Sequence, residues 1–304
     1  MVRKSPVFCT LMAFASTLAV AADTAPSAAN LSAAEIVEKN VAARGGLQAW
    51  RAVKTMSQEG KLGAGGNQRA TLHVPNPGPP STSGPSRKNS QFAPPTRPVE
   101  EVQLPFLMEQ ARPRKMRFEL QFNGQTGIQV YDGANGWKLR PYLNRRVVEP
   151  YTEDELKTSS MQADLDGPLV DYTAKGTKIE FVGKERVEDR DTYKIKLTLK
   201  SGEMLYVWID TATFLEAKIT GQPRRLDGAL HPVEIYFRDY RAVSGLQIPF
   251  VLETKVLPVG RVAGGFQDPP VPPEKAIIEK VVINPQFDEA LFAKPQVGVA
   301  SNAK

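Results

Sequence analysis

The chain carries a single cysteine, Cys9, and only two histidines, His73 and His231. It also has little uninterrupted apolar sequence. The one candidate, 8–20, falls short of the ~20 residues that a membrane-spanning helix needs, and it stands behind the basic pair Arg3 and Lys4. A basic start, an apolar stretch and the small residues Ala19-Val20-Ala21-Ala22 have the form of an export signal, with cleavage expected after Ala21 or Ala22. Cys9 leaves with that signal, and it lies too early, without small residues before it, for lipid attachment. A mature chain without a thiol excludes disulfides, thiolate metal sites and a cysteine nucleophile. The fold must hold by packing alone.

Clustered charge is missing too. The formal net charge of +6 falls to +4 when Arg3 and Lys4 depart, because the first 22 residues contain no acid. The remaining basic residues are scattered singly along strand faces, where they serve solubility and edge protection, so no nucleic acid partner is expected.

Recognisable chemistry is equally sparse. His73 lies next to a proline-rich stretch and His231 precedes Pro232, and neither belongs to a nucleophile motif or has metal-ligand spacing. Asp164-Leu165-Asp166-Gly167 lacks the later ligands of a calcium loop and reads as a helix-terminating turn, while Glu188-Asp189-Arg190-Asp191 reads as a charged hairpin tip. The glycine cluster at 63–66 has neither the lysine nor the following helix of a phosphate loop. No cofactor and no metal site are expected, and the chain is read as a non-enzyme. A hydrolase built on carboxylates alone stays open as a third reading, since such acids are found by geometry rather than spacing.

What is abundant is period-two alternation. In 191–210, Tyr193, Ile195, Leu197 and Leu199 fall on one side of a strand while Lys194, Lys196, Thr198 and Lys200 fall on the other. After a Ser-Gly turn, Leu205, Val207 and Ile209 continue the apolar face. Similar strands are expected at 55–62, 116–122, 126–131, 137–141, 178–184, 214–220, 233–241, 248–256 and 275–283, most of them bounded by turn signals. Before them, Ser32 caps a helix over 33–44 that Gly45-Gly46 stops, and 47–53 forms a further helical turn with Trp50 as a core anchor. Two short helices are expected at 152–159 and 162–172, and a last helical turn at 288–292. Residues 63–97 are rich in proline and glycine and read as a long disordered insertion, with a short strand expected at 68–74. These elements describe a mainly β protein, an antiparallel barrel or half-barrel in one domain.

The order of helix, Gly-Gly and strand, then Tyr131-Asp132-Gly133 through Gly136-Trp137, Val187-Glu188-Asp189-Arg190-Asp191, Val207-Trp208-Ile209-Asp210, Tyr236-Phe237-Arg238-Asp239-Tyr240 and Gly245-Leu246-Gln247-Ile248-Pro249, resembles one family. It is similar to the outer-membrane lipoprotein-sorting proteins of Gram-negative bacteria, related to the periplasmic lipoprotein carrier LolA. The resemblance covers 31–293 apart from the insertion. It implies an incomplete antiparallel β-barrel of about eleven strands, with a helical lid and a hydrophobic cavity for acyl chains.

The resulting division is a signal at 1–22, a disordered leader at 23–30, the half-barrel at 31–293 and a disordered tail at 294–304. The expected role is a periplasmic carrier of lipid acyl chains or lipoproteins, working with membrane-associated transport proteins. Inward positions that are candidates for the cavity wall are Met116, Phe118, Leu120, Val130, Leu197, Leu205, Val207, Ile235 and Phe237, with Leu165 and Leu169 from the lid. Alternation does not distinguish a filled interior from an empty one. The same sheet filled by its own side chains is therefore the second reading, an interaction or sensor module that docks a partner through Lys194, Lys196 and Lys200.

Overall fold

The computed structural model describes residues 31–64, 102–141, 144–226, 229–259 and 272–296. The expected export signal and leader, most of the proline-rich insertion with its possible short strand at 68–74, His73, and most of the tail lie outside the described residues. The chain divides into two units, Met1–Leu31 and Ser32–Lys304, and the architecture below is that of the second.

Helix α1 (Ala33–Ala43) starts on a capping box in which the Ser32 hydroxyl accepts from the Glu35 backbone N–H and the Glu35 carboxylate accepts from that of Ser32. It ends at Gly45 and Gly46, both at positive φ, where side chains are strained. The chain then enters the short helix α2 (Leu47–Ala52), whose Trp50 is 1% exposed and donates from its indole N–H to the Arg44 carbonyl at 3.2 Å.

The rest is sheet. Strands β1 (Thr55–Ala64), β2 (Val102–Ala111), β3 (Lys115–Phe122), β4 (Gln125–Tyr131), β5 (Gly136–Arg140) and β6 (Arg145–Pro150) form one run. Helix α3 (Glu153–Gln162) and a series of turns then lead to β7 (Lys178–Val187), β8 (Arg190–Thr198), β9 (Met204–Asp210), β10 (Glu216–Leu226), β11 (Ala229–Val243), β12 (Leu246–Val256) and β13 (Glu274–Ile283). All pairings are antiparallel in one 13-stranded sheet ordered β6-β5-β4-β3-β2-β1-β13-β12-β11-β10-β9-β8-β7. The two meanders join where β1 pairs with β13, and β6 and β7 remain as edges, so the sheet is an incomplete barrel.

Among the described residues the sheet has 13 strands, where about eleven were expected. The two strands that alternation did not locate are β2 and β6. Pro105 interrupts β2 at an exposed position, and proline argues against an interior strand because it donates no ladder hydrogen bond. At the sheet edge, β6 buries no residue fully and so shows no period-two signal. The helix expected at 162–172 is a run of turns instead, broken by Gly167 at φ 75° ahead of Pro168 and by Asp171 at φ 52°. The lid therefore consists of one helix and a turn segment.

One face of the sheet receives α1, α2 and that turn segment. Trp50, Val53, Met56, Phe106, Leu165, Val170, Leu246, Ile248, Phe250 and Ile278 form the main buried cluster there. The opposite face of β8–β12 solves its burial differently. Lys218 Nζ sits 4.0 Å from the Trp208 ring centroid, and Lys255 Nζ 4.0 Å from that of Tyr236. Lysine stems thereby cover aromatic plates while their charges pair with neighbouring glutamates.

Candidate functional site

The cross-strand register brings Leu197 opposite Leu205, Ile195 opposite Val207, Val207 opposite Ile219 and Ile219 opposite Ile235. An apolar band therefore crosses β8–β11 on the face toward α3. The band is not wholly filled. A cavity of about 590 Å³ lies against it, lined by Leu205, Ile219, Val233 and Ile235 from the sheet and by Met161, Gln162 and Pro168 from the lid side. A smaller cavity of about 210 Å³ lies against Trp50, Met56, Val207, Phe237, Leu252 and Ile278. Asp164, Pro168 and Ile219 line both, so the turn segment separates them.

Four elements hold α3 and the turns in place. Thr152 and Glu155 form a capping box at the start of α3, and Lys138 of β5 pairs with Glu155. At the other side, Lys157 lies 3.3 Å from Glu203, which also accepts from the Gln222 amide. In the turns, Lys175 pairs with Asp164 and Asp166, Arg112 donates to Asp166 at 2.6 Å, and Arg44 donates to the Asp166 carbonyl at 3.0 Å. The guanidinium of Arg44 also stacks on Trp50 at 4.4 Å and lies 3.2 Å from Glu216, an acid that accepts from the Tyr240 hydroxyl.

The two aspartates respond oppositely to this setting. Burial raises the Asp164 carboxyl above the ordinary carboxylate range despite Lys175. For Asp166 burial acts in the same direction, but Lys175 and Arg112 outweigh it and the carboxyl is lowered. Asp164-Leu165-Asp166-Gly167 thus serves as the expected turn, and its carboxylates are used to anchor basic side chains. Among the described residues no group of three or more histidines, cysteines or acids is placed to hold a metal ion. His231 is buried, with Nδ1 3.0 Å from the Leu257 carbonyl oxygen.

The residues expected at the cavity wall separate in the structure. Leu205 and Ile235 line the larger cavity, while Leu165, Leu169, Val207 and Phe237 line the smaller one. Phe118 and Leu120 pack on the main core, with Phe118 stacked on Phe106 at 5.7 Å. Met116 packs with Tyr131, Tyr151 and Ala163 beneath α3, and Leu197 is wholly buried beside Leu205.

Val130 is a correction. It pairs with Arg117, whereas Met116 pairs with Tyr131, and a one-residue offset in a strand selects the other face. Val130 therefore packs on the far side of the sheet with Ala111 and Phe292. The proposed docking lysines separate as well. Lys194 pairs with Glu185 and Lys196 with Glu180 within the sheet, while Lys200 lines the larger cavity. Strand β8 ends at Thr198, so alternation no longer governs where Lys200 points. Sequence reasoning also missed Met161, Lys157, Gln222 and Arg224 in the cavity lining. Helical or strand periodicity signals an apolar face, and charged residues at element ends carry no such signal.

An open antiparallel sheet with a lid over one face and a cavity between them is the class of protein these features define. No protein-family model matches the chain, and no curated protein matches it. Among solved structures it is similar to a LolA superfamily protein from Nitrosomonas europaea, at 12% identity and TM-score 0.49, over 87% of this chain and 99% of the other. A putative outer membrane lipoprotein-sorting protein domain from Vibrio parahaemolyticus is similar at 11% identity and TM-score 0.47, over 86% and 95% of the two chains. A DUF1329 family protein from Desulfovibrio piger is similar at 11% identity and TM-score 0.49, over 87% and 98%.

Proposed function

We propose that this chain is a periplasmic lipid or lipoprotein carrier that sequesters acyl chains between the sheet and the segment formed by α3 and the following turns. The observation that carries the reading is the cavity of about 590 Å³ against the apolar band of β9–β11. Its volume falls within the ~300–1,000 Å³ typical of small-molecule sites. Transfer of an acyl chain from water gains ~0.8 kcal/mol per methylene, so a sixteen-carbon chain gains on the order of 12 kcal/mol before ordering costs. Such binding needs no catalytic group. The periplasmic assignment rests on the export signal at 1–22.

Native mass spectrometry of the protein purified from its own host tests the reading. The expected outcome is adducts of lipid mass that disappear on delipidation and return when lipid is added. Repeated recovery of lipid-free protein that takes up no added lipid overturns it.

A further inference from the structure

We infer that the ligand of the larger cavity is an anionic amphiphile, a single hydrocarbon chain ending in a carboxylate or phosphate, with its charged end met by Lys157, Lys200 and Arg224. The inference rests on the carrier reading and adds the headgroup to it.

The cavity has two chemically different parts. Leu205, Ile219, Val233 and Ile235 form the apolar wall. Beyond them, the connection from β8 to β9 and the connection from β10 to β11 emerge at the same end of the sheet, because these neighbours are all antiparallel. Lys200 lies two residues beyond the end of β8, and Arg224 lies near the end of β10. Lys157 reaches that end from α3 through its contact with Glu203. A Cβ on Gly176 would stand 3.4 Å from the Cβ of Lys200, so the lysine stem runs close along the turn segment.

Five cations line this cavity against two carboxylates, Asp164 and Glu203. Lys175 and Arg114 face Asp164 within the turn network and are committed there. Of the other three, Arg224 and Lys157 each have one carboxylate partner and Lys200 has none among the described residues. Arg224 pairs with Glu274 at 2.7 Å, with the two side chains 41% and 36% exposed. Lys157 is 54% exposed, while its partner Glu203 is 15% exposed and keeps the Gln222 amide as a second donor. The Arg224–Glu274 pair is exposed on both sides, so sharing Arg224 with an incoming anion costs little. Lys200 has no carboxylate partner among the described residues. A neutral chain gains nothing from these cations. An ionised headgroup, which is costly to desolvate unless it is paired, gains directly.

Fluorescence titration of the delipidated full chain with a pyrene-labelled fatty acid and with its methyl ester provides the test. The two ligands share a chain and differ by one charge. The acid is expected to bind about fivefold or more tightly at low salt, with the difference shrinking as salt is raised. Lys200→Glu is expected to bring the acid-to-ester affinity ratio toward one, and Lys200→Arg to preserve it. Equal binding of acid and ester overturns the headgroup inference and leaves the carrier reading standing. An equal loss of both ligands in Lys200→Glu also overturns it, because the lysine then acts on the fold. Failure of both ligands to bind the unaltered chain overturns the carrier reading as well.

Discussion

Gly60 shows how a single residue limits the curvature of the sheet. It sits at a register shift between β1 and β13, where the chain passes close under its neighbour. A Cβ there would lie 2.2 Å from the Ile277 carbonyl oxygen and 2.9 Å from the Phe106 ring. The ring is buried and stacked on Phe118, and the carbonyl belongs to the ladder and does not move without its strand. Gly60→Ala is therefore expected to destabilise the protein by about 2–3 kcal/mol, read as a lower urea midpoint with an unchanged slope. The Asp166 carboxylate is a second residue-scale constraint. It faces both Lys175 and Arg112 while its side chain is only 2% exposed, so these charges are worth keeping only as a set.

At the scale of elements, α3 is the least securely built part of the cavity. It buries only Ser159 fully, so its stability comes from its ends rather than from an apolar face. The Thr152 hydroxyl accepts from the Glu155 N–H at 3.3 Å, and the Glu155 carboxylate accepts from the Thr152 N–H at 2.8 Å. Thr152→Ala removes half of this reciprocal cap at a cost of about 1 kcal/mol. The expected result is faster amide hydrogen exchange across Glu153–Gln162, with little change in the exchange of β8–β12. Uniform acceleration throughout the sheet would show that α3 is instead cooperative with the whole fold.

At the scale of the whole molecule, the sheet bends back on itself. Strands β7 and β11 are four positions apart, a separation of about 19 Å in a flat sheet. Yet Glu188, at the tip of the β7–β8 hairpin, accepts from Arg238 of β11 at 2.7 and 2.8 Å. The tip lies over the face carrying Trp208 and Tyr236, and Val187 is buried against both. Arg238 holds the Glu188 carboxyl down from 4.5 to about 2, against a smaller opposing effect of burial. A lowered carboxylate stabilises the fold fully above its unfolded value and loses that contribution as pH falls through its folded value. The stability difference between the unaltered chain and Glu188→Gln should therefore be constant above pH 4.5 and shrink between 4.5 and about 2. Chemical denaturation at a series of pH values measures this, and the effect should weaken with salt because the pair is partly exposed.

Local sequence was sufficient wherever one residue's environment follows from its immediate neighbours. Ser32 with Glu35, Gly45 with Gly46, and the alternation of β8 and β9 each specify a cap, a stop or a buried face within a few positions, and each is found in the structure. Leu205, Val207, Ile235 and Phe237 were legible as inward for the same reason, and all four line a cavity. Tertiary structure alone decided which inward positions meet empty space and which meet other side chains, as Leu197 beside Leu205 illustrates. It also placed Val130 on the far face and gathered Lys157, Lys200 and Arg224 at one end of the cavity. Register, sheet curvature and the path of the turns after α3 set those relations, and they depend on residues far apart in the chain. A period of two records which way a side chain points; what it meets there is a property of the closed fold.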